Sequence, residues 1–319
     1  MPSSSFQLLI APELQRVEEK LAHLLHSRES LLTDISRYLI SAGGKRVRPA
    51  VALIVFKACG GEDTRDMVDV AVALELIHSA SLLHDDIIDG GEVRRGKASA
   101  FRRFGLADTL VAGDFLFGKA FALCGRFEEK VIAWAADACI SLTEGEVMQS
   151  RFRHNPRVTV DDYLEIISRK TAALFAQGAR VGAYLAGAGE QAVEAMAECG
   201  FRIGMAFQIV DDLLDVEGRT RVTGKPKGID LRDGNPSLPV FLALKNDLQV
   251  RQVFQKKVPT RQEILDALER IRRSGVLAIA RRLAEDYVTQ ALAALRPLPA
   301  SPYHTTLSQL IDQLVDRAA

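Results

Sequence analysis

The sequence carries the pattern D-D-x-x-D twice. Asp85, Asp86 and Asp89 stand in "HDDIID", and Asp211, Asp212 and Asp215 stand in "VDDLLD". Each copy ends an apolar run, "LIHSASLL" in the first case and "GMAFQIV" in the second. On a helix the first and last aspartates of each copy are i and i+4 and share a face. Like charges at that spacing destabilise a helix, so something of opposite charge is expected among them. A hard divalent cation fits an all-oxygen donor set. Magnesium takes one or two carboxylates per ion, keeps several waters and completes its shell with substrate phosphates. The spacing and glycine of an EF-hand loop are missing, which disfavours calcium. One copy alone would read as a solvated acidic helix end; two copies, each after an apolar run, point to metal. Placed opposite each other across a bundle, they are expected to ring one mouth.

Cationic side chains recur beside glycine turns and beside these motifs. "GGKRVRP" supplies Lys45, Arg46 and Arg48, with Pro49 suited to the first turn of a helix. "EVRRGK" supplies Arg94 and Arg95 shortly after Asp89, and "SRKTAALF" supplies Lys170 and Thr171. "VTGKPKG" adds Lys225 and Lys227 beyond the second acidic motif. Guanidinium groups grip phosphate oxygens in bidentate fashion, and glycines let a backbone approach a ligand closely. Each cluster alone would read as a solvated surface. Together with two acidic motifs they suit a substrate carrying a diphosphate, and two such substrates rather than one. No P-loop, dinucleotide fingerprint or G-x-S-x-G nucleophile elbow is present. His78 and His84 are the histidines nearest the first motif; for His84, hydrogen bonding to a neighbouring carboxylate is the expected role rather than metal ligation.

The elements that must position these groups read as helices. "ELQRVEEKLAHLL" and "ILDALERIRRSGVLAIARRLAEDYVTQALAAL" show the 3.6-residue apolar stripe, and alternating strand patterns bounded by hairpin turns are scarce. The expectation is an all-α fold, a single domain over residues 1–319 with ten or more helices. With 48% hydrophobic residues the core can be large. The 41 basic and 41 acidic residues cancel, so no global field recruits nucleic acid or a membrane surface. Four scattered cysteines form no C-x-x-C pair and fit a reducing, cytoplasmic setting. The N-terminus has no secretory pattern, and no run of about 18 apolar residues marks a membrane span.

In order along residues 40–245, "GGKRVRP", "ELIHSASLLHDDIID", "RRG", "GDFLF", "KTAALF", "GMAFQIVDDLLD" and "GKPKGIDLRDGNPSLP" resemble the trans-isoprenyl (polyprenyl) diphosphate synthases. The resemblance implies an all-α bundle around a deep central cavity. It implies an enzyme that joins isopentenyl diphosphate to an allylic diphosphate, using Mg2+, with three ions when substrate is bound. In that reading Asp85, Asp89 and Asp211 are the metal ligands, and Asp86, Asp212 and Asp215 are ligands or water-mediated supports. Arg94, Lys170 and Lys225 clamp the allylic diphosphate, with Thr171, Phe207 and Gln208 beside its chain. Lys45, Arg48, His78 and Arg95 hold isopentenyl diphosphate. A homodimer is implied too; the apolar stretch "FGLADTLVAGDFLFGKAFALCG" suits its interface as well as a core. Two departures stand out: some relatives carry lysines where this chain has Ile229 and Asn235.

A growing chain is expected to run along the helix from Asp85 towards that helix's N-terminus. Ser81 and Ala80, four and five residues before Asp85, are small where short-chain relatives often place aromatics. Ile77 and Leu74 are candidates for a deeper floor. "HSASLLHDDIID" and "GDFLFGKAFAL" are most similar to octaprenyl-type members, which points to a medium-to-long product. The alternatives are a geranylgeranyl diphosphate synthase, a class I terpene cyclase and a non-catalytic partner subunit. Cyclases usually replace the second acidic motif, and partner subunits tend to lose both. Product release allows peripheral membrane contact.

Overall fold

The computed structural model describes residues 8–41, 43–94, 96–218 and 227–316. These are nearly all helical, apart from one two-stranded ribbon. The chain divides into two compact units, the first made of residues 1–139, 177–197 and 295–308, the second of 140–176, 198–294 and 309–319.

The first unit holds helices α1 (Ala11–Leu24), α2 (Ser30–Ser41), α3 (Val47–Ala58), α4 (Arg65–Ile88), α5 (Ala100–Phe104) and α6 (Leu106–Cys124). Its axis is α4, which packs against α1, α3 and α6. The sequence of α4 is apolar on every side through its middle, and every residue from Met67 to Ile77 is buried. Length and hydropathy alone would let α4 cross a membrane, but 83% of its most apolar window is buried inside the protein, the signature of a core helix. Two acids on this buried helix are paired, as burial requires. Asp69 is bridged by Lys20 and Arg126, and Glu75 by Arg46. Past α4 the chain turns through the ribbon, β1 (Val93–Arg94) antiparallel to β2 (Lys97–Ala98), with Val93 opposite Ala98.

The second unit takes the C-terminal half of α7 (Glu129–Phe152) together with α8 (Val160–Ile167). A π-helical turn, Ser168–Ala172, separates α8 from α9 (Ala173–Leu185). After α10 (Glu190–Glu217) come α11 (Ile229–Asp233), α12 (Leu238–Leu244), α13 (Leu248–Gln255), α14 (Arg261–Arg273), α15 (Val276–Ala294) and α16 (Pro302–Asp316). Thr159 with Asp162 and Thr260 with Glu263 form capping boxes that start α8 and α14. Tyr163, Ile209, Leu213, Phe241, Phe254, Leu268 and Ile271 belong to one core in this unit.

Candidate active site

The first acidic motif occupies the last turn of α4, with Asp89 as its C-cap. A helix C-terminus already carries partial negative charge, so adding three carboxylates there is unfavourable unless a cation answers them. The three split by direction. Asp85 and Asp89 are half-buried and, with His78 and Leu82, follow the i, i+4, i+7, i+11 stripe of α4 that is not closed off. Asp86 turns inward and is 3% exposed. The ribbon brings Arg94 back over it, so that Arg94 Nε donates to Asp86 Oδ1 at 2.6 Å. Burial pushes the Asp86 carboxyl above the usual range, and Arg94 offsets that in part. Asp86 Oδ2 is buried without a hydrogen-bond partner. His84 faces α6 instead of the aspartates, its Nε2 lying 3.2 Å from the Leu110 carbonyl and 3.4 Å from Asp114.

The second motif ends the 28-residue α10 and divides in the same way. Asp211 is exposed and Asp215 half-buried, while Asp212 is buried. Asp212 Oδ2 accepts from the Tyr163 hydroxyl at 2.7 Å and from Leu238 N–H at 3.1 Å. Its Oδ1 accepts from Gln208 Nε2 at 2.9 Å, and Gln208 Oε1 in turn accepts from the Thr171 hydroxyl at 2.9 Å. Burial raises the Asp212 pKa to about 7, against the lowering effect of its hydrogen-bond donors. Asp215 accepts the backbone N–H groups of Ile229 and Asp230 at 3.1 and 3.2 Å, which ties the start of α11 to the motif. The middle aspartate of each copy is thus turned inward, while Asp85, Asp89 and Asp211 keep more exposure and Asp215 is tied to the start of α11.

Lys170 and Thr171 sit on the π turn, a rare element that often marks functional positions. Lys170 is bridged to Glu146 of α7 and Arg169 to Glu144 and Glu165. Phe207 packs on Phe175 with ring centroids 5.5 Å apart. Lys170, Thr171, Gln208 and Asp212 line a polar cavity of about 100 Å³, shared with Tyr163, Gln149, Asp230 and Asn235. That volume is ample for several water molecules.

In the first unit, Arg46 holds a left-handed backbone, φ 49°, and hydrogen-bonds Glu18 and Glu75. That fixes the glycine loop and makes Arg46 a structural tie, while Lys45 is exposed and Arg48 half-buried. Arg95 and Lys225 lie outside the described residues. Lys227 does not, and its aliphatic stem lies over Gly218 just beyond the second motif. Asn235 is buried, accepts from Arg153 Nε at 3.0 Å and serves the loop, so a lysine there would need a different loop packing. Ile229 contributes its backbone N–H to Asp215 whatever its side chain.

Sequence reasoning missed Tyr163, which reads as an ordinary core aromatic in "VDDYLEI". It also missed the "EGE" of residues 144–146, whose glutamates find their partners 24 or more residues away.

Among the described residues no group of three or more His, Cys, Asp or Glu side chains is gathered to hold an ion unaided. Magnesium does not need one, since it takes few carboxylates and completes its shell with phosphate oxygens and water. The oxygen-only donors at the negative end of α4, and separately those at the end of α10, are of the kind that such an ion arriving with a diphosphate takes.

Residues 29–272 match the polyprenyl synthetase family. The chain is 35% identical to a geranylgeranyl diphosphate synthase of Methanosarcina mazei over 91% of each protein. It is 34% identical to an octaprenyl diphosphate synthase of Haemophilus influenzae, covering 99% of this chain and 98% of that protein. A polyprenyl synthase from Caulobacter crescentus CB15, solved with calcium and isoprenyl diphosphate, matches over 100% of both chains with a TM-score of 0.94 and 34% identity. On this evidence the chain belongs to the polyprenyl synthetase family and is a prenyltransferase, a polyprenyl diphosphate synthase.

Proposed function

We propose that the chain is an all-trans synthase of medium-to-long polyprenyl diphosphates, adding isopentenyl diphosphate head-to-tail to an allylic diphosphate. One observation carries the length assignment: the two positions before Asp85 that could hold an aromatic plug hold Ala80 and Ser81. Both are buried, and the Ser81 hydroxyl is folded back onto the His78 carbonyl at 2.8 Å, leaving a small profile. Leu74 and Ile77, also buried, form the deeper floor. The test is to incubate purified protein with farnesyl diphosphate, labelled isopentenyl diphosphate and Mg2+, then resolve the dephosphorylated alcohols. A ladder ending well beyond geranylgeraniol supports the assignment. A stop at geranylgeraniol favours the second reading, a geranylgeranyl diphosphate synthase, which the Methanosarcina relative makes worth testing.

The residues divide the work as follows. Arg94, Lys170 and Lys225 clamp the allylic diphosphate, and Lys45, Arg48, His78 and Arg95 hold isopentenyl diphosphate. Asp85, Asp89 and Asp211 would hold Mg2+, three ions with substrate bound, which would supply positive charge to the leaving diphosphate. The carbon–oxygen bond to that diphosphate breaks, leaving an allylic cation, and cationic side chains aimed at the departing oxygens stabilise this step. Thr171, Phe207 and Gln208 flank the reacting chain. The double bond of isopentenyl diphosphate forms the new carbon–carbon bond, and one proton is lost to the departed diphosphate. Apolar walls exclude water that would quench the cation.

Both acidic motifs are intact, which separates this reading from a cyclase and from a non-catalytic partner subunit. A single functional domain, a cytoplasmic setting and a homodimer complete the proposal. The dimer would cover Leu106, Leu110, Val111 and Phe121, exposed apolar residues of α6. Peripheral membrane contact would serve release of a long apolar product.

A further inference from the structure

The π turn is held by two helices that each lack a side chain where they meet it. A Cβ on Gly145 of α7 would stand 2.5 Å from the Lys170 nitrogen and 3.0 Å from Lys170 Cα. A Cβ on Gly204 of α10 would stand 2.5 Å from Ala172 Cα and 3.0 Å from Ala172 Cβ. Most of these atoms are backbone, so no side-chain rotation relieves the overlap. The turn itself would have to move.

Side chains complete the grip. Glu144 and Glu146 flank Gly145 and bridge Arg169 and Lys170 respectively. Four residues beyond Gly204, Gln208 accepts from Thr171. The side chain next to Gly145 and the one a helical turn beyond Gly204 therefore hold Lys170 and Thr171. A π turn inserts one residue into the helical count, and it persists where its surroundings fix it.

The geometry points to Gly145 and Gly204 as positioning residues of the reaction: they set how far the π turn advances Lys170 and Thr171 towards the allylic diphosphate. This rests on the reading of Lys170 and Thr171 given under Proposed function. Neither glycine touches substrate in this scheme. Each acts through the turn.

The experiment is a pair of double-mutant cycles in the full-length protein, Gly145→Ala with Lys170→Ala and Gly204→Ala with Thr171→Val. Steady-state kinetics are read for each substrate separately, with thermal unfolding run alongside. A displacement of about 1 Å in a positioning group costs about 10²-fold. The expected result is a loss of that order in kcat/KM for the allylic diphosphate in G145A and G204A, with the KM for isopentenyl diphosphate unchanged. In the K170A background, G145A should add no further loss, because the group it misplaces is already gone. The same non-additivity should appear for G204A in T171V.

Equal losses in both backgrounds, or equal rises in KM for both substrates, would overturn the inference in favour of a general packing role. So would failure of both glycine variants to fold. If K170A and T171V leave allylic kinetics intact, it is the reading of the site that fails. If they are costly while both glycine variants behave as wild type, this inference alone fails.

Discussion

Tyr163 donates its phenolic hydrogen to Asp212 Oδ2 across 2.7 Å inside the core of the second unit. The bond joins α8 to the last turns of α10 and places the buried middle aspartate of the second motif. Burial and the adjacent carboxylate both push the Tyr163 pKa well up, so the phenol remains a donor throughout the working range. Tyr163→Phe would leave Asp212 one donor short in a buried setting, at a cost of about 1–3 kcal/mol in stability. Denaturant unfolding of Y163F measures that cost. Activity should fall with it, because Gln208 and Thr171 lean on the same carboxylate. A variant as stable as wild type would mean that water replaces the hydroxyl.

The same carboxylate makes a pH prediction. Asp212 has its pKa raised to about 7 in the folded protein, chiefly by burial, against about 3.9 for an unperturbed aspartate. The folded state therefore holds a proton through pH 4 to 7 that the unfolded state has released. Stability from this group is fully present below pH 4, falls as pH rises through 7 and is flat above. The shift corresponds to roughly 4 kcal/mol. Asp212→Asn removes the titration, so the difference in unfolding free energy between wild type and D212N should change in that window. Chemical denaturation at pH 4.5, 6 and 8 reads it. A difference that is constant with pH would mean that Asp212 stays ionised in the native state.

Arg94 and Asp86 form the corresponding pair in the first unit, at 2.6 Å and with Asp86 3% exposed. Removing one partner of a buried pair leaves an uncompensated charge and costs about 3–5 kcal/mol. Arg94→Ala should show that loss in thermal or denaturant unfolding. The double variant R94A/D86N should recover part of it, since a neutral amide is cheaper to bury. Recovery of stability without recovery of turnover would separate the pairing role of Arg94 from its role on the diphosphate. No loss of stability in R94A would mean that solvent reaches Asp86.

Much of this was legible in the sequence, for reasons that differ by residue. The helical fold followed from 3.6-residue periodicity, and α4 followed from an apolar run with no polar side. The i, i+4 spacing of each D-D-x-x-D already predicted that the outer aspartates share a face, and Asp85 with Asp89 follow the open stripe of α4. The pairing of Val93–Arg94 with Lys97–Ala98 has no counterpart in the sequence pattern, because two residues per strand carry no alternation to detect. The π turn was not legible either. One extra residue in a helical run leaves the composition unchanged, and only packing against Gly145 and Gly204 reveals it. The bridges from Glu144 and Glu146 to Arg169 and Lys170 span about two dozen residues, beyond the reach of any local pattern.

Chain length offers the last prediction, and it turns on Leu74. A Cβ built on Gly178 of α9 would meet Leu74 Cδ1 at 2.8 Å, so Leu74 fills the notch left by that glycine. Adding a methyl group there displaces the flexible end of Leu74, because the contacted atom can rotate away. If the growing chain follows α4 below Ala80 and Ser81, Gly178→Ala pushes Leu74 into its path and should shorten the product. Leu74→Ala should do the opposite and lengthen it, at a stability cost of about 2–5 kcal/mol for a buried leucine. The double variant G178A/L74A should return towards the wild-type length, since the displaced side chain is no longer present to block. Product alcohols resolved by chain length read all three. L74A with an unaltered ladder would mean that the chain does not pass this level. A long ladder from L74A with no shortening by G178A would mean that Leu74 moves away from the chain and that a neighbour such as Ile77 sets the floor.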